Sequence, residues 1–225
     1  MGTSATREVR IPAGNARLCG DLSVPADPCG IVLFAHGSGS GRHSSRNRRV
    51  SQHLQHAGIA TLLFDLLTAE EEQQDLHTRE HRFDIPLLTG RMQDATAWVR
   101  SLPEVRALPV GYFGASTGSA AALIAAARLG ERIAAVVSRG GRPDLAGRAC
   151  LAAVTAPTLL IVGGADRGVI ELNQDAYGRL TCRKELQVVP GASHLFEEPG
   201  ALDRVSRDAS EWFSTHFAAV HAATS

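Results

Sequence analysis

Short runs rich in Val, Ile, Leu and Phe recur along the chain, and polar or alanine-rich stretches separate them. A short run that is apolar at nearly every position is typical of a strand covered on both faces. Helices packed on both sides of a parallel sheet provide such cover. The pattern therefore predicts a mostly parallel, doubly wound α/β sheet. The runs are GIVLFAHG (30–37), IATLLFDLL (59–67), LPVGYFG (108–114), IAAVVSRG (133–140), PTLLIVGG (157–164) and KELQVVPG (184–191).

Two earlier segments, REVRIP and ARLCGDLSVP, are joined by Ala13-Gly14-Asn15 and alternate apolar with polar residues. This turn signal predicts an N-terminal antiparallel hairpin. Helices are expected near 45–57, 87–101, 117–129, 169–180 and 200–217. Because the 225 residues include no long Pro- or Gly-rich linker, we expect a single α/β domain over 1–225.

Three chemically distinctive side chains follow three of the apolar runs. Ser116 lies in GASTG, Asp166 in GGADRG and His194 in GASHLF. Because the carboxyl ends of parallel strands meet at one edge, we expect these side chains to lie together. A serine hydroxyl needs a base to become a nucleophile, an imidazole can be that base, and a carboxylate can fix the imidazole's tautomer. The sequence therefore predicts a catalytic triad of Ser116, His194 and Asp166.

Ser116 has two interpretations. It is the centre of Gly114-Ala115-Ser116-Thr117-Gly118, a match to the G-x-S-x-G nucleophile elbow, in which small neighbours let a strained turn pack tightly. A serine before an alanine-rich helix is also a favoured N-cap, which involves no chemistry. The histidine and aspartate at other strand ends favour the elbow. Asp144 is the alternative acid, in a less usual place after the run at 133–140.

A tetrahedral intermediate also needs hydrogen-bond donors for its oxyanion. The backbone N–H of Thr117, directly after the nucleophile, is one predicted donor. The loop His36-Gly37-Ser38-Gly39 should supply the other, and we expect it to be the N–H of Ser38. Gly37 would let the backbone approach the substrate closely, and His36 would organise the loop by hydrogen bonding.

On these residues the chain resembles an α/β hydrolase, and it is similar to the small dienelactone-hydrolase-like group of that fold. The segments that carry the resemblance, in order within 16–217, are HGSGSGRHSSRNR, TLLFDLL, GASTG, SRGGRPDLAG, GGAD and GASHLF. Dienelactone hydrolases are known for a cysteine nucleophile, whereas this elbow carries Ser116 and none of the four cysteines is near it in the sequence. The resemblance therefore implies a serine esterase that works through an acyl-enzyme. We expect neither a metal nor an organic cofactor.

Charge and composition limit the expected partners. Lys plus Arg and Asp plus Glu number 23 each, so no net field favours nucleic acid or an anionic membrane, and a small ester of little charge is the expected substrate. The start MGTSATREVRIP lacks a basic and apolar signal segment, and no apolar run reaches membrane-spanning length. These features predict a cytoplasmic protein, and they leave its oligomeric state open.

The segment His77-Thr78-Arg79-Glu80-His81 matches H-x-x-E-H, in which two histidines on one helical face bind zinc. It lies in the polar stretch AEEEQQDLHTREHRFD, which offers no clear apolar face and no third ligand, so we interpret it as a solvated connection near the mouth of the site. Two other function classes stay open: a metal-dependent hydrolase that uses this segment, and a non-catalytic binding protein on a hydrolase fold.

The connection after the run at 133–140 bears on access and specificity. Residues 139–157 are too few for a helical lid domain, so we expect a minimal cap or none, a shallow site and a preference for short acyl chains. Arg139 would follow the strand directly, where a guanidinium could bind a substrate carboxylate. In the alternative interpretation, Arg139 or Arg142 pairs with Asp144 and braces the loop.

Overall fold

The computed structural model describes residues 5–224, and one eight-stranded sheet is its centre. The strands are β1 (Ala5–Ala13), β2 (Ala16–Val24), β3 (Ile31–Ala35), β4 (Ala60–Phe64), β5 (Val110–Ala115), β6 (Ile133–Arg139), β7 (Thr158–Gly163) and β8 (Lys184–Val189). The α-helices are α1 (Ser45–His56), α2 (Ala69–Thr78), α3 (Ile85–Val99), α4 (Thr117–Leu129), α5 (Arg148–Ala153), α6 (Arg167–Arg179) and α7 (Ala201–Thr224). Short 3-10 turns cover His81–Phe83, Gly130–Arg132 and Pro143–Ala146.

The strand order is β1-β2-β4-β3-β5-β6-β7-β8. The β1–β2 hairpin is antiparallel and turns at Gly14, whose φ of +58° suits a residue without a side chain. β2 pairs antiparallel with β4, and β3 to β8 run parallel. The predicted fold class, a doubly wound α/β sheet with an N-terminal hairpin, is therefore confirmed.

Two apolar layers cover the central strands, which explains why their sequences are apolar at successive positions. Successive residues of a strand point to opposite faces, so Leu33 packs in one layer and Phe34 in the other. The first layer includes Leu123 of α4, and the second includes Phe213 of α7. The sheet is thus held between α3 and α4 on one face and α1 and α7 on the other.

Four details differ from the sequence prediction. The polar stretch at 69–78 is a helix, α2, rather than an irregular connection, and α7 extends to Thr224. β8 is an edge strand that pairs with β7, and its outer positions are open, with Val188 46% exposed. β6 includes Arg139, so this residue ends the strand instead of following it.

The β6–β7 connection contains the 3-10 turn Pro143–Ala146 and the short helix α5, and the described residues form no lid domain there. Within 5–224, no helix is both long and apolar enough to cross a membrane. Residues 1–4, which begin the segment in which we expected no signal peptide, lie outside the described residues.

Candidate active site

Ser116 occupies a strained turn between β5 and α4. Its φ of 50° and ψ of −124° lie outside the regions that residues with a side chain usually adopt. Although Ser116 stands at the N-cap position of α4, its side chain makes no capping hydrogen bond. The N-cap interpretation is therefore wrong in this structure, and the hydroxyl is left available for chemistry.

The two glycines of the elbow are required by close backbone contacts. A Cβ atom at Gly114 would lie 2.5 Å from Ser119 Cα, and one at Gly118 would lie 2.3 Å from the carbonyl oxygen of Ala35. Both distances are far below van der Waals contact. Any side chain at either position would push α4 away from β3 and β5, and the turn that holds Ser116 would change.

His194 and Asp166 are joined directly. His194 Nδ1 donates to Asp166 Oδ2 at 2.6 Å, and both residues follow strands at the same edge of the sheet. Asp166 stands at the N-cap position of α6 without capping it, so its carboxylate is free to accept from the imidazole. Asp144, the alternative acid, is bound instead by Nε and Nη2 of Arg142, each at 2.8 Å.

Ser116 and His194 both lie next to the end of β6. The N–H of Ser116 donates to the carbonyl oxygen of Arg139 at 3.2 Å. The next residue, Gly140, lies near the imidazole of His194. A Cβ at Gly140 would lie 3.5 Å from His194 Cε1. Among the described residues Ser116 Oγ has no hydrogen bond to His194, as is often true of such pairs before a substrate binds.

The predicted oxyanion loop lies beside the elbow, with one difference in its hydrogen bonds. A Cβ at Gly37 would lie 3.0 Å from Ser116 Cβ, so the loop touches Ser116. Thr117 is the first residue of α4, where backbone N–H groups lack an acceptor within the helix. The Ser38 N–H, however, donates to Thr117 Oγ1 at 3.0 Å instead of standing free.

His36 organises this loop as expected. Its Nδ1–H donates to the carbonyl oxygen of Gly37 at 3.0 Å, and its Nε2 accepts from the N–H of Leu66 at 2.9 Å. The side chain thereby ties the loop after β3 to the loop after β4. Burial lowers the pKa of His36 below its ordinary value, which keeps the imidazole neutral and suited to both bonds.

A cavity of about 170 Å³ opens next to the oxyanion loop. One wall is the loop itself, and α2 with the turn after it forms another. Leucines and charged side chains share the lining: Leu66, Leu67, Leu76, Leu88, Glu72 and Arg82. Sequence reasoning missed this contribution of α2, although Thr68-Ala69-Glu70-Glu71 matches the capping box that begins a helix.

The H-x-x-E-H segment does not form the helical zinc motif. α2 ends at Thr78, and Arg79 adopts a left-handed conformation with φ of 58°, so His77 and His81 do not share one helix. Within the described part of the chain, no group of three or more His, Cys, Asp or Glu residues is placed to hold a metal ion.

A sheet in this order, with a strained G-x-S-x-G turn directly after β5, defines the α/β-hydrolase class. The chain belongs to that family, since the model of the alpha/beta hydrolase domain matches residues 28–220. It is similar to the crystal structure of a dienelactone hydrolase from Anabaena variabilis, at 56% identity and a TM-score of 0.93, over 95% of this chain and 98% of the other. Est1E from Butyrivibrio proteoclasticus has a TM-score of 0.79 at 16% identity, over 94% of this chain and 99% of the other, and shares the fold.

Two curated relatives come from strains of Mycobacterium tuberculosis and are 57% identical over 209 residues. Both bear the name "Putative phosphoribosyl transferase". The match covers 93% of this chain and 46% of theirs, so the chain spans about half the length of these relatives.

Proposed function

We propose that the chain is a serine hydrolase that cleaves a carboxylic ester of a small substrate through an acyl-enzyme. The observation that carries this proposal is the His194–Asp166 hydrogen bond of 2.6 Å, at the sheet edge where Ser116 holds an uncapped hydroxyl in a strained turn. A hydroxyl, an imidazole and a carboxylate in this order are the parts that acyl transfer requires.

In the proposed mechanism, Ser116 Oγ attacks the ester carbonyl carbon while His194 Nε2 takes the hydroxyl proton. Asp166 holds Nδ1–H, which leaves Nε2 as the basic nitrogen, and it stabilises the imidazolium. When the tetrahedral intermediate collapses, the C–O bond to the alcohol breaks and His194 returns the proton to the leaving oxygen. Water activated by the same imidazole then releases the acid and restores Ser116.

The oxyanion of that intermediate would be bound by the backbone N–H groups of Thr117 and Ser38. Because the Ser38 N–H donates to Thr117 Oγ1 in this structure, the substrate oxygen would take the place of that hydroxyl as its acceptor. The contact keeps the loop next to the elbow before substrate arrives. Loss of one oxyanion donor typically costs about 3 to 4 kcal/mol of transition-state stabilisation.

The cavity beside the loop supports a small substrate. About 170 Å³ is bounded by leucines and by α2, which is room for a short acyl or alcohol group. The short β6–β7 connection supports an open site without interfacial activation. We expect p-nitrophenyl acetate and butyrate to be hydrolysed in preference to long-chain emulsified lipids.

The other predicted classes have less support. The broken helix between His77 and His81 weakens the metal-dependent alternative, and the assembled His194–Asp166 pair weakens a purely binding role. The transferase name belongs to chains of which this one spans 46%. Cytoplasmic location, a single domain over 1–225, and the absence of nucleic-acid and membrane partners stay predictions.

A fluorophosphonate probe tests the proposal. We expect one covalent adduct on the Ser116 peptide by mass spectrometry, loss of labelling and ester hydrolysis in Ser116→Ala, and an unchanged melting temperature. Ser40→Ala, which changes a serine of the loop after β3 that lines the neighbouring cavity, is the matched control and should keep both. Full activity in EDTA is also expected. Labelling at another residue, or an active Ser116→Ala protein, would refute the proposal.

A further inference from the structure

Arg139 is a buried cation without an anion. Arg139 is the last residue of β6 and is 7% exposed. Nε and Nη1 are buried and have no acceptor among the described residues. Nη2 has no acceptor there either, yet it is absent from the buried atoms, so it is the part of the guanidinium that reaches solvent. Arg142, three residues on, is bound through two nitrogens to Asp144.

The surroundings of Arg139 do not replace the missing partner. The guanidinium carbon lies 5.8 Å from the ring centroid of Phe196, a contact that solvates a cation only in part. Arg46 of α1 is close enough for its positive charge to act on Arg139. Burial, and to a smaller extent Arg46, lowers the pKa of Arg139 to about 10, so the side chain stays charged at neutral pH.

The guanidinium of Arg46 also lacks some hydrogen-bond acceptors. Nε of Arg46 is buried without an acceptor in the described structure, and Nη1 reaches Glu197 at 3.3 Å. The two guanidinium groups repel each other, several of their N–H donors are unused, and the one carboxylate recorded near them, Glu197, is exposed and contacts Arg46. A guanidinium only donates, so a bound oxyanion is the ligand that would satisfy both charge and hydrogen bonds.

Arg139, which lacks an anionic partner in the described part of the chain, lies next to the candidate active site. Its carbonyl oxygen accepts the Ser116 N–H at 3.2 Å. The next residue, Gly140, contacts the loop that carries His194 and Phe196, since a Cβ there would lie 3.4 Å from Phe196 and 3.5 Å from His194 Cε1. The guanidinium itself lies over Phe196, so an anion bound to it would be next to the loop that carries His194.

We propose that Arg139, assisted by Arg46, forms a subsite for an anionic group, a carboxylate or a phosphate, carried by the substrate. The inference deepens the proposed ester hydrolysis and rests on it. It differs from the expectation of a substrate of little charge, which rested on the zero net charge of the whole chain, because Arg139 and Arg46 form a local concentration of positive charge. Of the two sequence interpretations, bracing through Asp144 is performed by Arg142, and Arg139 is left for the ligand.

Two esters of similar size test the subsite: p-nitrophenyl butyrate, which is neutral, and the p-nitrophenyl monoester of succinate, which carries a carboxylate. In Arg139→Met we expect KM for the succinate ester to rise about 10- to 100-fold, the range for a lost hydrogen bond to a charged group. Kinetics on the butyrate ester should stay within about twofold. Arg49→Gln, which removes an exposed arginine already paired with Asp203, should change neither.

The melting temperature distinguishes a ligand-binding role of Arg139 from a structural role. Methionine fills much of the space without a charge, so we expect the melting temperature of Arg139→Met to be unchanged or higher. A lower melting temperature with equal loss on both esters would assign Arg139 a structural role and overturn the proposal.

Ligand-induced stabilisation gives a readout that does not depend on ester hydrolysis. Succinate or inorganic phosphate should raise the melting temperature of the wild type and not of Arg139→Met, and the better of the two identifies the preferred anion. If neither ester is hydrolysed but this difference is present, the ester function fails and the anion site stands. If the esters are hydrolysed and neither anion nor succinate ester distinguishes the variant, the subsite fails alone.

Discussion

At the scale of single residues, two carboxylates near the site differ in what their surroundings allow. Asp166 and Asp144 both follow strands of the central sheet, and the sequence ranks them by position alone. The structure shows the physical difference: the oxygens of Asp144 are bound by Arg142, whereas Asp166 Oδ2 accepts from His194. Asp144 is therefore held in the loop after β6 by Arg142, whereas Asp166 is in place to orient the imidazole.

Asp166→Asn should therefore reduce kcat about 10⁴-fold with little change in melting temperature, because an amide favours the wrong imidazole tautomer. Asp144→Asn is the matched control. It removes a partly exposed ion pair of the kind worth about 0 to 1 kcal/mol, and kcat should stay close to the wild-type value. Steady-state kinetics and thermal unfolding of both variants measure this. Equal losses of kcat would argue against Asp166 as the residue that orients His194.

Gly118→Ala should damage both stability and activity. The new Cβ would lie 2.3 Å from the carbonyl oxygen of Ala35 and 2.4 Å from that of His36, and backbone atoms cannot rotate away. We expect a loss of about 1 to 3 kcal/mol in the free energy of unfolding, with a fall in kcat as the oxyanion loop shifts.

Gly178→Ala is the control for that substitution. Gly178 lies in α6, and apart from the backbone of its own helix and its chain neighbours no heavy atom lies within 4 Å of its Cβ position, so alanine should stabilise by about 0.5 to 1 kcal/mol. Urea denaturation of both variants compares the two. A neutral Gly118→Ala would show that α4 does not need this close approach.

At the scale of elements, the sequence located those whose apolar pattern is strong. The boundaries of α4, predicted at 117–129, agree with the structure because an alanine-rich face must pack on the sheet. α2 was missed because it has few apolar residues and is held by polar contacts. Thr68 caps it reciprocally with Glu71, and Asp75, 2% exposed, accepts from the N–H groups of His81 and Arg82. β8 was taken as covered on both faces, since an edge strand and a central strand can have similar sequences.

Thr68→Ala tests whether α2 acts as a wall of the cavity. Loss of the Thr68 Oγ1 acceptor for the Glu71 N–H should weaken the helix start by about 1 kcal/mol. Amide hydrogens at 69–78 should exchange faster, and KM for short esters should rise while kcat holds. Thr78→Ala, at the other end of α2, should have the smaller effect on both. Faster exchange throughout the sheet would show a global loss of stability rather than an opened wall.

At the scale of the whole molecule, the sheet topology carries most of what sequence reasoning could establish about the site. Parallel strands place their carboxyl ends at one edge, so Ser116, Asp166 and His194 could be located there from strand order alone. Contacts between loops follow no such rule. Two examples are the hydrogen bond from Ser38 to Thr117 and the burial of Arg139 without a partner. Both depend on how separate segments pack, so no local sequence pattern predicts them.

The same packing predicts how the fold responds to acid. Burial lowers the pKa of His36, and burial followed by the charge of Arg183 lowers that of His216, both below the ordinary 6.5. Below pH 6.5 the unfolded chain therefore binds protons that the folded chain excludes, so the free energy of unfolding falls as pH falls, by at most about 1.4 kcal/mol per pH unit for each group. Between pH 7 and 5 the carboxylates stay largely ionised, so the change in the free energy of unfolding over this range comes mainly from histidines.

The urea midpoint should be lower at pH 5 than at pH 7, and the difference should shrink in His36→Gln, whose amide can still donate and accept. His53→Gln, which removes an exposed imidazole, should keep the wild-type difference. A midpoint that rises on acidification, or a His36→Gln protein with an unchanged difference, would show that neutral His36 is not what holds the loops after β3 and β4 together.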